Sequence, residues 1–168
     1  MNIITTTIKS RHSVRNYKEG PISDSTIRDV LTCAGKAPTA MNRQPWLIGV
    51  IRDHVLLSQI GGMTDNGKFI DKAAICFAVF GEKAAKYYLE DCSAATENII
   101  LALQAHGFGS CWVAGDKKSY AEQVRVLLQV PDHYTLVSLV PAGIPSDIAI
   151  APKKDLKEIA FFDRYTKQ

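Results

Sequence analysis

No apolar run in the 168-residue sequence is long enough to cross a bilayer. The longest, such as Ala73 to Phe80, fall well short of the ~20 residues a membrane helix needs. The N-terminus, MNIITTTIKS, lacks a basic start followed by an apolar stretch, so no secretory signal is expected. The four cysteines, Cys33, Cys76, Cys92 and Cys111, form no C-x-x-C pair, which points to reduced thiols in a cytoplasmic protein. His12, His54, His106 and His133 share no metal-ligand spacing with one another or with cysteine, so no metal is expected. Low-complexity tracts, repeats and linkers are absent. Charge is nearly balanced: 20 basic against 17 acidic residues give +3, which permits an anionic ligand without announcing nucleic acid. What is there is globular: 46% hydrophobic and 22% charged residues. A single domain over residues 1–168 is expected, hiding roughly 70% of the surface its unfolded chain exposes.

The stretch Ser23 to Ala37 reads as an amphipathic helix. Ile27, Val30, Leu31 and Ala34 fall on one face, Ser23 or Asp24 can cap it, and Pro38 forbids its continuation. Trp46 to Ile51, Ala73 to Phe80 and Leu136 to Val140 read as buried strands. A long helix over Asp91 to Ala105 is apolar on most sides, so it belongs at the centre of the fold, with Gly107 ending it. Ser119 with Glu122 three residues on spells a capping box for a further helix stopped by Pro131. Phe161 and Phe162 suggest a short extended segment. The order is helix, helix, strand, strand, long helix, short strand, helix, strand, tail. It lacks regular βαβ alternation and predicts a mixed α+β sandwich with helices on the sheet faces.

Three motifs fail on inspection. Gly62 to Lys68 has P-loop spacing, but Phe69 stands where the magnesium-binding hydroxyl belongs and the segment precedes a strand, so it reads as a surface loop. Gly107-Phe108-Gly109 lacks the third glycine of a dinucleotide fingerprint. No serine sits in G-x-S-x-G. Two other segments carry chemistry. Arg11-His12-Ser13-Val14-Arg15 in extended backbone projects Arg11, Ser13 and Arg15 to one side, a donor set suited to phosphate. Pro38 to Trp46 carries Thr39, Asn42 and Gln44 between prolines, and its amides suit the heteroatom edge of a ring.

Together these segments, R-x-S-x-R-x-Y and P-T-x-x-N-x-Q-P-W, resemble the signature of the nitroreductase family of FMN-dependent oxidoreductases. The resemblance continues through Asp91 to Trp112 (DCSAATENIILALQAHGFGSCW) and the basic stretch at Lys153-Lys154. It implies an α+β, three-layer α/β/α sandwich with a mixed, mainly antiparallel sheet, and a homodimer with composite active sites, each holding FMN. By the same resemblance Arg11, His12 and Ser13 would hold the FMN phosphate and ribityl chain, and Lys153 and Lys154 would return to the phosphate. Arg15 would lie near the flavin N1–O2 edge. Pro38, Thr39, Ala40 and Asn42 would reach the flavin from the partner subunit, with Gln44 bracing their loop. Val113, Ala114 and Gly115 would run along the ring near N5 through backbone N–H groups, and Lys68 would match a flavin-edge lysine of larger members. Ala114 stands where some members carry Glu, and the stretch between Trp46 and Asp91 lacks their excursion helices, which implies a more open pocket. The implied activity is hydride transfer from NADH or NADPH through flavin N5 to a nitroaromatic, quinone or enone acceptor by a ping-pong mechanism, with Arg15 as the mechanistic residue and no evident acid or base. The alternative is an FMN-binding storage or sensor protein.

Overall fold

β-Formers in continuously buried runs build the centre of the molecule. In the computed structural model, which describes residues 2–147 and 150–165, the elements are α1 (Ile3–Ser10), β1 (Tyr17–Lys18), α2 (Asp24–Ala34), β2 (Trp46–Ile51), α3 (His54–Met63), β3 (Ile75–Glu82), α4 (Tyr88–Ala105), β4 (Gly109–Ser110), β5 (Val113–Ala114), α5 (Ala121–Leu127), β6 (Tyr134–Pro145) and α6 (Leu156–Ile159). The sheet runs β1-β6-β3-β2, and β4 and β5 also pair with β6. Every ladder is antiparallel, and the parallel element of the sheet is an isolated bridge between Ser13 and Ser110.

Burial on both faces makes three layers. Along β3, Ile75, Phe77 and Val79 point to a core shared with Ile27 and Val30 of α2 and with Ile99 and Leu103 of α4. Cys76, Ala78 and Phe80 point the other way, to Leu57 and Ile60 of α3 and Val124 of α5. The period of two along the strand is what divides the cores.

The elements refine the sequence reading. Ser23 caps α2, accepting from Thr26 N at 3.2 Å, but the helix stops at Ala34 because Lys36 N and Ala37 N turn back to Cys33 O and Ala34 O. β2 has the expected bounds, β3 lies slightly later than expected, and β6 is longer. α4 begins a turn before Asp91. α5 carries a correction: its N-cap is Tyr120, with no side-chain bond, and Ser119 forms no capping box. Glu122 instead grips Arg125 through two bonds of 2.6 and 2.9 Å. α3 is an element the sequence order omits. Asp53 caps it through Val55 N and Leu56 N, and its last turn takes in Gly61 and Gly62, which the sequence presents as loop. The following residues are no free surface loop either: Thr64, Gly67 and Ile70 are buried. Phe161 and Phe162 follow the short α6 and join no strand.

Candidate functional site

α1 ends at Ser10, and Arg11 leaves it in extended backbone. Val14 N then donates to Ser110 O at 2.9 Å, docking the segment beside β4. Val14 is buried against Gly109, where a Cβ would come within 2.7 Å of the valine side chain; glycine is needed there for the close approach. With Val14 facing inward, Arg11, Ser13 and Arg15 face outward. Three clefts border them. One, about 190 Å³, brings Arg11, His12, Ser13 and Arg15 together with Lys153. A second, about 290 Å³, sets Arg11 and Ser13 against Glu97, Cys111 and Trp112. The third, about 160 Å³, places Arg15 with Asn66, Phe69, Trp112, Ala114 and Tyr120. Arg15 borders the first and third, with its guanidinium 5.9 Å from the Phe69 ring centroid.

His12 Nδ1 lies 3.0 Å from Ser10 O, while its buried Nε2 has no partner among the described residues. A carbonyl at Nδ1 makes that nitrogen the hydrogen carrier of the neutral ring and leaves Nε2 an acceptor. Burial pushes the Cys111 thiol up, opposed by the nearby Arg15, a hydrogen bond with Ser13 and the charge of Arg11. Burial likewise raises the Tyr120 phenol, aided by Asp65. Tyr120 Oη donates to Ala114 O, tying β5 to the start of α5.

The Pro38 to Gln44 loop is built differently. Met41, Asn42 and Gln44 all have left-handed backbone, with φ of 53°, 55° and 50°. Such clustering is uncommon outside glycine. Gln44 Nε2 donates to Asn42 O and Oδ1 at 3.3 and 3.2 Å, bracing the turn from within. Thr39 Oγ1 donates to Asp91 Oδ2 at 2.7 Å, and Ala40 N to the same carboxylate at 3.2 Å. The sequence marks Asp91 only as the start of a helix; its role in holding this loop is visible only in three dimensions.

One chain does not unite all the expected site residues. The loop is tied to Asp91 near the start of α4, whereas the Arg11 segment adjoins the end of α4, where Gln104 Nε2 donates to Ser10 Oγ at 3.4 Å. Thirteen residues of helix separate these anchors, about 20 Å. Lys153 joins the Arg11 cleft; Lys154 is exposed and does not line it. Lys68 is exposed at the start of a 3-10 turn, and its neighbours Asn66 and Phe69 line the Arg15 cleft in its place. Val113 and Ala114 pair with β6, and Ala114 borders the Arg15 cleft. Gly115 departs from expectation: its N–H donates to Val137 O at 2.9 Å and is not free for a ligand. The glycine is needed because a Cβ there would lie 2.6 Å from Leu136. Phe69, Trp112 and Cys111 border the clefts without having been singled out in sequence, where apolar residues of their kind read as core.

The family model described as "Nitroreductase family" matches residues 8–63 and 63–144. An Archaeoglobus fulgidus protein is 36% identical over 146 residues, covering 83% of this chain and 84% of its own. A crystal structure from Parabacteroides distasonis superposes with a TM-score of 0.93 at 26% identity, covering 98% of this chain and all of its own. Both of these relatives carry the name "Putative NADH dehydrogenase/NAD(P)H nitroreductase". A Desulfovibrio desulfuricans structure named as a nitroreductase and solved with FMN superposes with a TM-score of 0.88 at 25% identity, covering 99% of each chain.

Proposed function

The chain belongs to the nitroreductase family, and we propose that it is an FMN-dependent oxidoreductase that moves hydride from NADH or NADPH to an organic acceptor of nitroaromatic, quinone or enone type. The observation that carries this reading is the convergence of Arg11, Ser13, Arg15 and Lys153 on one cleft beside the orphaned Nε2 of His12. Guanidinium and ammonium groups with a hydroxyl are the donors a phosphate requires, and the second imidazole nitrogen of His12 suits a ribityl hydroxyl. The donor set therefore fits FMN.

FMN, when bound, supplies the two-electron chemistry; the protein contributes binding, orientation and electrostatics. In this reading Arg11, Ser13 and Lys153 hold the phosphate, with Lys154 reinforcing the local positive field, and His12 meets the ribityl chain. Arg15 borders both the phosphate cleft and the cleft lined by Trp112 and Ala114, so its charge would act on the ring of a bound flavin and favour the form that carries added negative charge. Pro38, Thr39, Ala40 and Asn42 come from the second subunit of a homodimer, with Gln44 keeping their loop in shape. The different anchorages of the two segments along α4, the loop at Asp91 and the Arg11 segment beside Glu97, Ile100 and Gln104, support that arrangement. So does the tail: among the described residues, 157–162, 164 and 165 line a hollow of about 740 Å³, and Phe162 is 87% exposed. With FMN bound, nicotinamide and acceptor would occupy the same open cleft in turn, and ping-pong kinetics are expected. No side chain bordering the clefts is assigned as acid or base, so solvent protonates the product. Four free cysteines are in keeping with a cytoplasmic location, and no helix among the described residues is long and apolar enough to cross a membrane.

The test is cofactor content followed by turnover. The purified protein is expected to be yellow, to release FMN on heating, and to oxidise NADH or NADPH in the presence of acceptors from the three classes. FAD alone, or no flavin after reconstitution, defeats the reading. Flavin that neither nicotinamide reduces rapidly identifies a storage or sensor protein instead.

A further inference from the structure

We propose that Asp91 is the positioning residue that holds the Pro38 to Gln44 loop in its flavin-covering shape; the proposal rests on the FMN reading above. The Asp91 carboxylate is buried, with 6% of the residue exposed, and no Lys, Arg or His pairs with it among the described residues. A buried carboxylate without a cation needs hydrogen-bond donors. Asp91 finds them in the hydroxyl of Thr39 at 2.7 Å and the backbone N–H of Ala40 at 3.2 Å, both on the loop. Its place in the first turn of α4 adds the favourable field of the helix N-terminus.

The polarity of the chain is fixed by the carboxylate. An ionised Asp91 only accepts, so the Thr39 hydroxyl must donate to it. The same oxygen is then available to accept from Gln44 N at 3.0 Å. Ala40 and Gln44 bracket the left-handed residues Met41 and Asn42, and both ends of that turn are thereby tied to one helix. Met41 is 80% exposed, so apolar packing of its side chain does not compensate its backbone conformation. The hydrogen bonds to Asp91 do. The helix itself is held by other residues: Cys92, Ala95, Ile99 and Leu103 are fully buried beneath it. Loss of the carboxylate should therefore release the loop while leaving the core in place.

The experiment titrates the apoprotein with FMN, reads binding by quenching of flavin fluorescence, and follows the melting midpoint with and without FMN. Asp91→Ala is expected to weaken binding about tenfold, the scale of one or two charge-assisted bonds, and to shrink the rise in midpoint that FMN produces. Thr39→Val should copy it, and Thr39→Ser, which restores the hydroxyl that donates to Asp91, should recover most of the binding that Thr39→Val loses. The double variant should bind within about twofold of the weaker single variant, because both changes break one chain of bonds. Multiplied losses in the double variant, an unaffected Thr39→Val, or wild-type binding by Asp91→Ala would each overturn the proposal. Should Asp91→Ala fail to fold, Asp91→Asn and Thr39→Val form the cycle with the same criteria. A wild-type protein that binds no FMN fails the functional reading itself, an outcome distinct from wild-type binding that the substitutions leave untouched.

Discussion

Arg15 is held by neighbours of different kinds: the Phe69 ring beneath its guanidinium, and Cys111, whose thiol feels its charge. If its charge serves the flavin ring, Arg15→Ala should lower the flavin reduction potential by roughly 30 mV, about 1.4 kcal/mol for a two-electron couple. FMN affinity should fall less, since Arg11, Ser13 and Lys153 remain. A dye-equilibrated redox titration measures the shift, and an unchanged potential removes Arg15 from the ring edge. Buried thiols give a second residue-scale expectation. Burial raises Cys76 and Cys92 to about 12. Because the folded values lie above the unfolded ones, the unfolded chain loses these protons first as pH rises. Stability is therefore complete below the usual thiol range and declines from there towards pH 12, by up to about 1.4 kcal/mol per unit for each thiol. Tyr17, raised by burial and by the neighbouring Cys111 and Cys76, falls in the same direction. Melting midpoints above pH 9 should drop, and Cys76→Ala should flatten that slope. At this scale the sequence exposes Arg11 to Arg15 because their chemistry is contiguous. It hides Asp91 because Thr39 lies 52 positions away.

Ser23 and Ser119 look alike in sequence, each before a helix, yet only Ser23 bonds to the first turn. Ser23→Ala should cost about 1 kcal/mol, the usual worth of such a cap. Ser119→Ala should fall within about 0.5 kcal/mol of wild type, as for an exposed side chain away from caps and cores. Urea denaturation of both variants checks the contrast, and equal losses would restore the capping box. The difference shows where local patterns stop being sufficient. β2 was legible because six apolar residues sit between polar or proline boundaries, and α4 because its apolar residues surround the helix. α3 was obscured by Gly61 and Gly62, although Asp53 before Val55 and Leu56 is a cap signal. Its glycine is there for packing: a Cβ on Gly61 would lie 3.2 Å from Lys68 O, where the following turn crosses the helix. β6 extends to Pro145 because four partner strands line its edges, a tertiary gain that no window of its own sequence contains.

The two halves of the proposed site meet α4 on different turns, and that offset bears on how many chains a working site needs. Within one chain the Asn42 loop is tied to Asp91, whereas Arg11 and Ser13 share a cleft with Glu97 and Ile100, about two turns further along the helix. A two-fold dimer resolves the problem if each α4 runs alongside the other's, bringing one chain's end near the other's start. The exposed Ile3, Ile4 and Ile8 of α1 and Phe161, Phe162 and Tyr165 of the tail supply apolar surface for such a pairing. An interface of about 2,000 Å² or more is expected of an obligate pair. Mixed dimers test the arrangement directly. One subunit carries Arg11→Ala with Ser13→Ala, and the other carries Asn42→Ala, each homodimer being deficient in FMN. In a shared-site dimer, one site of the mixed species collects both lesions and the other collects none, so about half the wild-type flavin content returns. If each site belongs to one chain, both sites keep a lesion and no flavin returns. Separating the mixed species by two affinity tags and measuring flavin per dimer distinguishes these outcomes. The second, or a stable monomer that binds FMN, would show that the loop reaches the flavin within one chain and that the separation along α4 has been bridged by movement of the loop.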